Sequence, residues 1–256
     1  MQMKTTQDMT SQDTACEPPA ASPSDAEFPS LVEGARYALL QRLAPALQHH
    51  LVGQLQPMDM IALMMERRLQ AADPDLASIR QDCALLGNVS RTAVKSIIGM
   101  MGWIEPRPAA TINVNTGVKE CMELLVTEFR FNGFVIVNEV TPIDADVACR
   151  AFRTLLSASL VAFSDASKMP ARLVLRAHAM AQQIKLTIDL HATEEVAKNA
   201  PSTSSRSLKW KDGEILAQAE SVELTHGSTG VQLVFSYSTV NESTDFLEAS
   251  VTQSSC

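Results

Sequence analysis

Ala46-Leu47-Gln48-His49-His50-Leu51-Val52-Gly53-Gln54-Leu55 is the stretch on which the reading of this chain turns. Leu47, Leu51 and Leu55 recur every fourth residue, the spacing of one helical face. Successive residues turn by about 100°. His49 is two residues from both Leu47 and Leu51, about 200° round the helix from each, so it points away from the apolar seam. His50 lies between, about 100° from Leu51 and about 60° from Leu47. An exposed neutral imidazole on a rigid helix can attack an acyl phosphate in line, because its partner approaches from the open side. The plain alternative is a pair of solvated histidines, and only the surroundings separate the two.

The surroundings are helical. From Leu31 to about Ala72, Leu40, Leu43, Leu47, Leu51, Leu55, Met58, Ile61, Met65 and Leu69 draw one apolar stripe at spacings of three and four. Pro45 and Pro57 each remove a backbone donor, so a kink or a loosened turn is expected at each. Asp73-Pro74-Asp75 restarts a helix, with Asp73 suited to the cap and Pro74 to the first turn. Leu76, Ile79, Cys83, Leu86, Ser90, Ala93, Ile97, Met100 and Ile104 then follow a heptad-like seam with a polar break. Two amphipathic helices joined by a short turn make a hairpin whose stripe is half exposed. Pairing two copies into a four-helix bundle would cover it, so a homodimer is expected. The methionines between 58 and 101 read as core filler rather than a metal box.

Glu105-Pro106-Arg107-Pro108 ends the second helix and reads as a stiff linker. Beyond it the period changes. Thr111–Val114 alternates as a strand, Val118–Phe129 is helical, Asn132-Gly133 is a turn and Phe134–Val137 is a strand. Asp144–Phe163 is helical, Leu173–Ala177 and Ile184–Leu190 form a meander, and residues 194–211 are loop-like. Gly213–Glu220 is a short helix, and Val222–Leu224 with Val231–Ser236 closes a hairpin. The fold class is α+β. A disordered tail at 1–30 precedes a helical hairpin at 31–105, a two-layer α/β sandwich at 109–241 and a C-terminal tail at 242–256.

The net charge of −8 argues against a general nucleic-acid binder. No window reaches the roughly 18 consecutive apolar residues of a membrane span, and no signal-peptide pattern opens the chain. Five scattered cysteines without a CxxC pair read as reduced thiols, which places the chain in the cytoplasm. No metal is expected. His178, His191 and His226 fall on different elements without matching carboxylates or thiolates, and no HExxH, Walker loop or nucleophile elbow occurs. Lys209-Trp210-Lys211-Asp212 is too small for a nucleic-acid patch and reads as a loop with Trp210 packed on the domain.

The segment His49-His50-Leu51-Val52-Gly53-Gln54-Leu55 resembles the phosphoacceptor box of bacterial histidine kinases: a histidine, an acidic residue, a leucine, a small or amide residue, and a later apolar position. Residue by residue, His49 takes the acceptor place and His50 the acidic place, where the family's usual carboxylate acts as a base. Leu51 and Leu55 take the apolar places. Thr154-Leu155-Leu156-Ser157-Ala158-Ser159-Leu160 resembles the N-box of the same family's ATP-binding domain, with both asparagine places lost, to Thr154 and Ala158. Ala158 stands at the family's magnesium ligand and has nothing to coordinate with. Where the family places a glycine-rich Asp box, this chain has Leu190-His191-Ala192-Thr193-Glu194, with Asp189 one position out of phase and no glycine between Gly133 and Gly213.

The resemblance, over about residues 36–237, implies a histidine-kinase core that keeps its histidine hairpin and has lost its ATP site. It also implies a partner, the receiver domain of a response regulator. His49 is the expected phosphoacceptor, and His50 the runner-up acceptor or proton acceptor. Arg42, Val52, Gly53 and Gln56 share the exposed face of His49 and are expected to dock the receiver. No cofactor is expected. Three functions stand open on the sequence: an ATP-less histidine phosphotransferase of a phosphorelay, a non-catalytic scaffold that binds a receiver or kinase, and a weak, divergent kinase.

Overall fold

The computed structural model describes residues 26–104, 109–167, 170–192 and 207–237. The linker at 105–108, most of the 194–211 loop, and the tails at 1–25 and 238–256 lie outside the described residues, as do Cys16 and Cys256.

Helix α1 spans Phe28–Leu69 as one uninterrupted element and runs through both Pro45 and Pro57. Both prolines sit on its exposed side, away from the contacts that hold the helix in place. Helix α2 spans Leu76–Ile104 and returns antiparallel beside it. The expected cap moves: the side chain of Asp75, not Asp73, accepts hydrogen bonds from the backbone N–H groups of Ala77 and Ser78 at 3.0 and 3.2 Å. Asp75 also accepts from the Ser78 hydroxyl at 2.6 Å. That hydroxyl, followed by the backbone donors, holds the Asp75 carboxyl below the ordinary aspartate range. A depressed folded-state pKa stabilises the fold above the unfolded value and is lost as pH falls through the folded one. We therefore expect the start of α2 to exchange its amide hydrogens faster as pH drops below the ordinary aspartate range, once intrinsic rates are normalised. Asp75→Asn, which caps without titrating, should remove that pH dependence. An unchanged profile in the variant would mean that another group controls it.

The second domain begins with strand β1 (Thr111–Asn113) and helix α3 (Val114–Phe131). Asn113 caps α3 by accepting from the Asn115 N–H at 3.1 Å. Strand β2 (Phe134–Asn138), strand β3 (Asp146–Ala148) and helix α4 (Cys149–Ala166) follow. The expected helix from Asp144 is thus corrected at its start, because Asp146–Ala148 pairs antiparallel with Thr111–Asn113. Strands β4 (Ala171–Ala179) and β5 (Gln183–Ala192), helix α5 (Trp210–Ala219), and strands β6 (Glu223–His226) and β7 (Gly230–Ser236) complete the chain.

The main sheet has the order β2-β4-β5-β7-β6, with β2 parallel to β4 and the other neighbours antiparallel. Alternation decides its faces. Phe134 and Ile136, Leu173 and Leu175, Ile184, Leu186 and Ile188, and Leu233 and Phe235 all point into one core. Phe129 of α3, Phe152 of α4 and Leu216 of α5 meet them there. The fold is therefore a helical hairpin followed by a two-layer mixed α/β domain.

Gly117 is where α3 comes closest to α4. A Cβ there would stand 2.6 Å from the ring of Phe152, which is itself fully buried against Phe235. Gly117→Ala is expected to destabilise the second domain by about 1–3 kcal/mol through overpacking, read as a lower denaturant midpoint.

Candidate histidine site on helix α1

His49 and His50 lie on the middle of α1, and the structure separates them. His49 is exposed and makes no hydrogen bond or ion pair among the described residues. His50 is half-buried, and its Nε2 lies 3.0 Å from the Ser96 hydroxyl on α2. It lines an open cleft of about 200 Å³ between the hairpin and the second domain, with Lys95, Trp103, Glu120, Glu123 and Arg153. Arg153 is pinned there: it donates to Glu120 at 2.7 and 3.0 Å and lies over the Trp103 ring at 5.6 Å. One ring is thus free and solvent-facing, while its neighbour is fixed in a cleft that carries two carboxylates and two cations.

The residues expected to share the face of His49 divide. Val52, Gly53 and Gln56 are exposed, as expected, and Val52 keeps 54% of its surface. Arg42 requires a correction. It is 4% exposed, and its Nε and Nη2 donate to the Asp165 carboxylate at 2.9–3.1 Å while Nη1 donates to Glu128. Burial by itself would lower its pKa, but the hydrogen bonds and charges of Asp165 and Glu128 outweigh it and raise the value. It remains a buried cation with two partners and is no part of an open docking face. Seven residues apart, Arg42 and His49 lie nearly in line along α1. The second domain, however, packs on this side of α1 two turns above His49 and covers it.

The seam residues also divide. Ile61, Ile79, Ala93 and Met100 are buried between the two helices. Leu55, Leu69, Leu76 and Ile104 keep between 47% and 71% of their surface in the single chain, and Val94, Ile98 and Met101, which lie outside the expected seam, are exposed beside them.

The two N-box positions sit on α4. Thr154 is half-buried, and Ala158 is 1% exposed. Ser157 beside it donates towards the Cys121 sulfur at 3.9 Å. Burial pushes the Cys121 thiol up to about 12 and raises that of Cys149 as well, which disfavours the thiolate form at both. Asp189, the acid nearest the place where the resemblance puts a glycine-rich box, accepts from Arg176 at 2.6 Å. His178 and His191 are exposed on β4 and β5. His226 stacks on Trp210 at 4.4 Å and lies 3.0 Å from Glu214. Trp210 opens α5 rather than sitting in a loop, and it packs edge-on against Phe163. Among the described residues no cluster of His, Cys, Asp and Glu is placed to hold a metal ion, and no helix is long and apolar enough to cross a membrane.

Solved structures to which this chain is similar include histidine kinases and a phosphotransferase. Acinetobacter baumannii histidine kinase AdeS matches with 12% identity and a TM-score of 0.41, over 72% of this chain and 98% of that one. Histidine kinase ThkA in complex with response regulator protein TrrA matches with 14% identity and a TM-score of 0.37, over 84% of this chain and 66% of that one. A bacterial phosphotransferase matches with 12% identity and a TM-score of 0.36, over 84% of this chain and 98% of that one. No protein-family model and no curated protein matches the chain.

Sequence reasoning missed Ser96, Glu128, Asp165 and Glu220 as partners of the site and its frame. Ser96 carried one weak signal: it lies on the second helix of a hairpin, where polar residues near the seam need a partner across it.

Proposed function

We propose that this chain is a histidine phosphotransferase of a two-component phosphorelay, taking a phosphoryl group from one receiver aspartate and giving it to another through His49. The observation that carries this is the contrast within the histidine pair: His49 exposed and unengaged, His50 held by Ser96. In the forward step the Nε2 lone pair of His49 attacks the phosphorus of an aspartyl phosphate. The N–P bond forms, the P–O bond to the carboxylate breaks, and aspartate leaves as a carboxylate. The proton on Nδ1 stays with the ring until the group passes on, when the same events run in reverse on a second aspartate. His50 is a poor acceptor by comparison. Its Nε2 is occupied by the Ser96 hydroxyl, and its ring lines the cleft against the second domain rather than the open face.

Val52, Gly53 and Gln56 surround His49 on the open face and are the proposed receiver contacts. The exposed apolar seam from Leu55 to Ile104 is the proposed homodimer contact, and the unpaired cysteines suit a reducing compartment. The chain is proposed to work without ATP, because Ala158 has no ligand atom and sits in the packed core. Calorimetric titration with magnesium-ATP is expected to show no binding in the micromolar range. Micromolar affinity would favour the divergent-kinase reading. The deciding experiment is incubation with a panel of phosphorylated receiver domains and a search for acid-labile label on this chain. Absence of label with every receiver would favour the scaffold.

A further inference from the structure

The two helices of the hairpin are unequal, 42 residues in α1 against 29 in α2. The contact between His50 and Ser96 sets their register. Ile104 ends α2 eight residues beyond Ser96, so in an antiparallel pair it comes level with Arg42, eight residues before His50. Trp103 and Ile104 indeed share a cavity wall with Leu39 and Leu43. The part of α1 before Arg42 therefore overhangs its partner helix. A helix of about 12–15 residues is marginal in water without packing, and the overhang finds that packing on the second domain. Ala35, Leu39, Leu43 and Ala46 are buried in the same cluster as the cores of α3, α4 and α5.

Two ion-pair nodes bracket this contact. At the far end, the Glu220 side chain is 4% exposed and accepts from Arg36 Nη2 and from Arg150 Nε, both at 2.9 Å. At the near end stands Arg42 with Asp165 and Glu128. Asp165 also accepts the Leu208 N–H at 2.8 Å, at the entry to α5. One guanidinium thus ties α1 to α3, to α4 and to the approach of α5.

We propose that Arg42 is a latch that keeps the second domain docked on the overhang of the histidine helix, so that hairpin and sheet domain move as one body. Removing either partner of a buried ion pair leaves the other charge uncompensated, so the latch opens by mutation at either end. This proposal stands whether or not His49 is phosphorylated.

Hydrogen exchange measured on the full chain tests it. In Arg42→Gln, amides of the overhang, residues 28–41, are expected to exchange at least tenfold faster. Those of β4 and β5 between Leu173 and Ile188, and those of α2, should keep wild-type protection. Arg42→Gln combined with Asp165→Asn should be no faster than Arg42→Gln alone, because both open one node. Unchanged overhang amides would overturn the latch. So would equal acceleration in the sheet, which would make Arg42 a support of global stability only. If Arg42→Gln does not fold, Arg36→Gln decides at the second node: acceleration confined to the overhang supports the docked body, and any other pattern overturns it.

Discussion

His49→Gln is expected to abolish acid-labile labelling by a phosphorylated receiver, a loss of at least a hundredfold, while His50→Gln slows labelling only several-fold. The nucleophile is the reacting atom, and glutamine has no lone pair of comparable basicity to replace it. His50 acts at one remove. Its bond to Ser96 ties α1 to α2 beside the site, so its loss loosens the platform without removing the attacking nitrogen. Ser96→Ala should resemble His50→Gln in size, because both remove the same contact. Both His49→Gln and His50→Gln should keep the helical circular dichroism of the wild type, since neither position lies in the core. Full labelling of the His49→Gln protein would move the acceptor to His50. Equal and complete loss in both variants would mean that the pair acts as a unit.

The second large effect concerns assembly. Leu86→Glu together with Ile97→Glu is expected to dissociate the proposed dimer or unfold the hairpin, because each carboxylate would enter the apolar seam without a partner, at a cost on the order of several kcal/mol. Ile98→Glu separates the two outcomes. Ile98 keeps 63% of its surface in the single chain, so a charge there leaves the hairpin intact and acts only against a second copy. Sedimentation should show a dimer for the wild type at tens of micromolar and a monomer for Ile98→Glu, with equal helical content. A monomeric wild type would remove the four-helix bundle and leave the exposed stripe without an occupant.

Legibility differed from element to element. The hairpin was readable because its signals are local: Leu43, Leu47 and Leu51 meet one face whatever the rest of the chain does. The alternation in β4 and β5 was equally plain, and both strands extend the expected ones by a residue or two at each end. Strand β3 was not legible. Asp146–Ala148 is three residues with no period of its own, and only pairing with Thr111–Asn113 makes it a strand. The cap at Asp75 was misplaced by two residues because Asp73 and Asp75 offer the same chemistry, and only the backbone path selects the one that reaches Ala77 and Ser78.

By itself, the sequence determined the hairpin, the outward direction of His49 and the two-layer second domain, since each follows from periods of two to four residues and the hydrophobic burial they direct. The tertiary structure alone decided which part of the exposed face stays exposed. Arg42 and His49 point almost the same way from one helix, yet one is buried and the other free. The difference comes from Glu128 and Asp165, 86 and 123 residues further along the chain, and a period of a few residues carries no information over that distance.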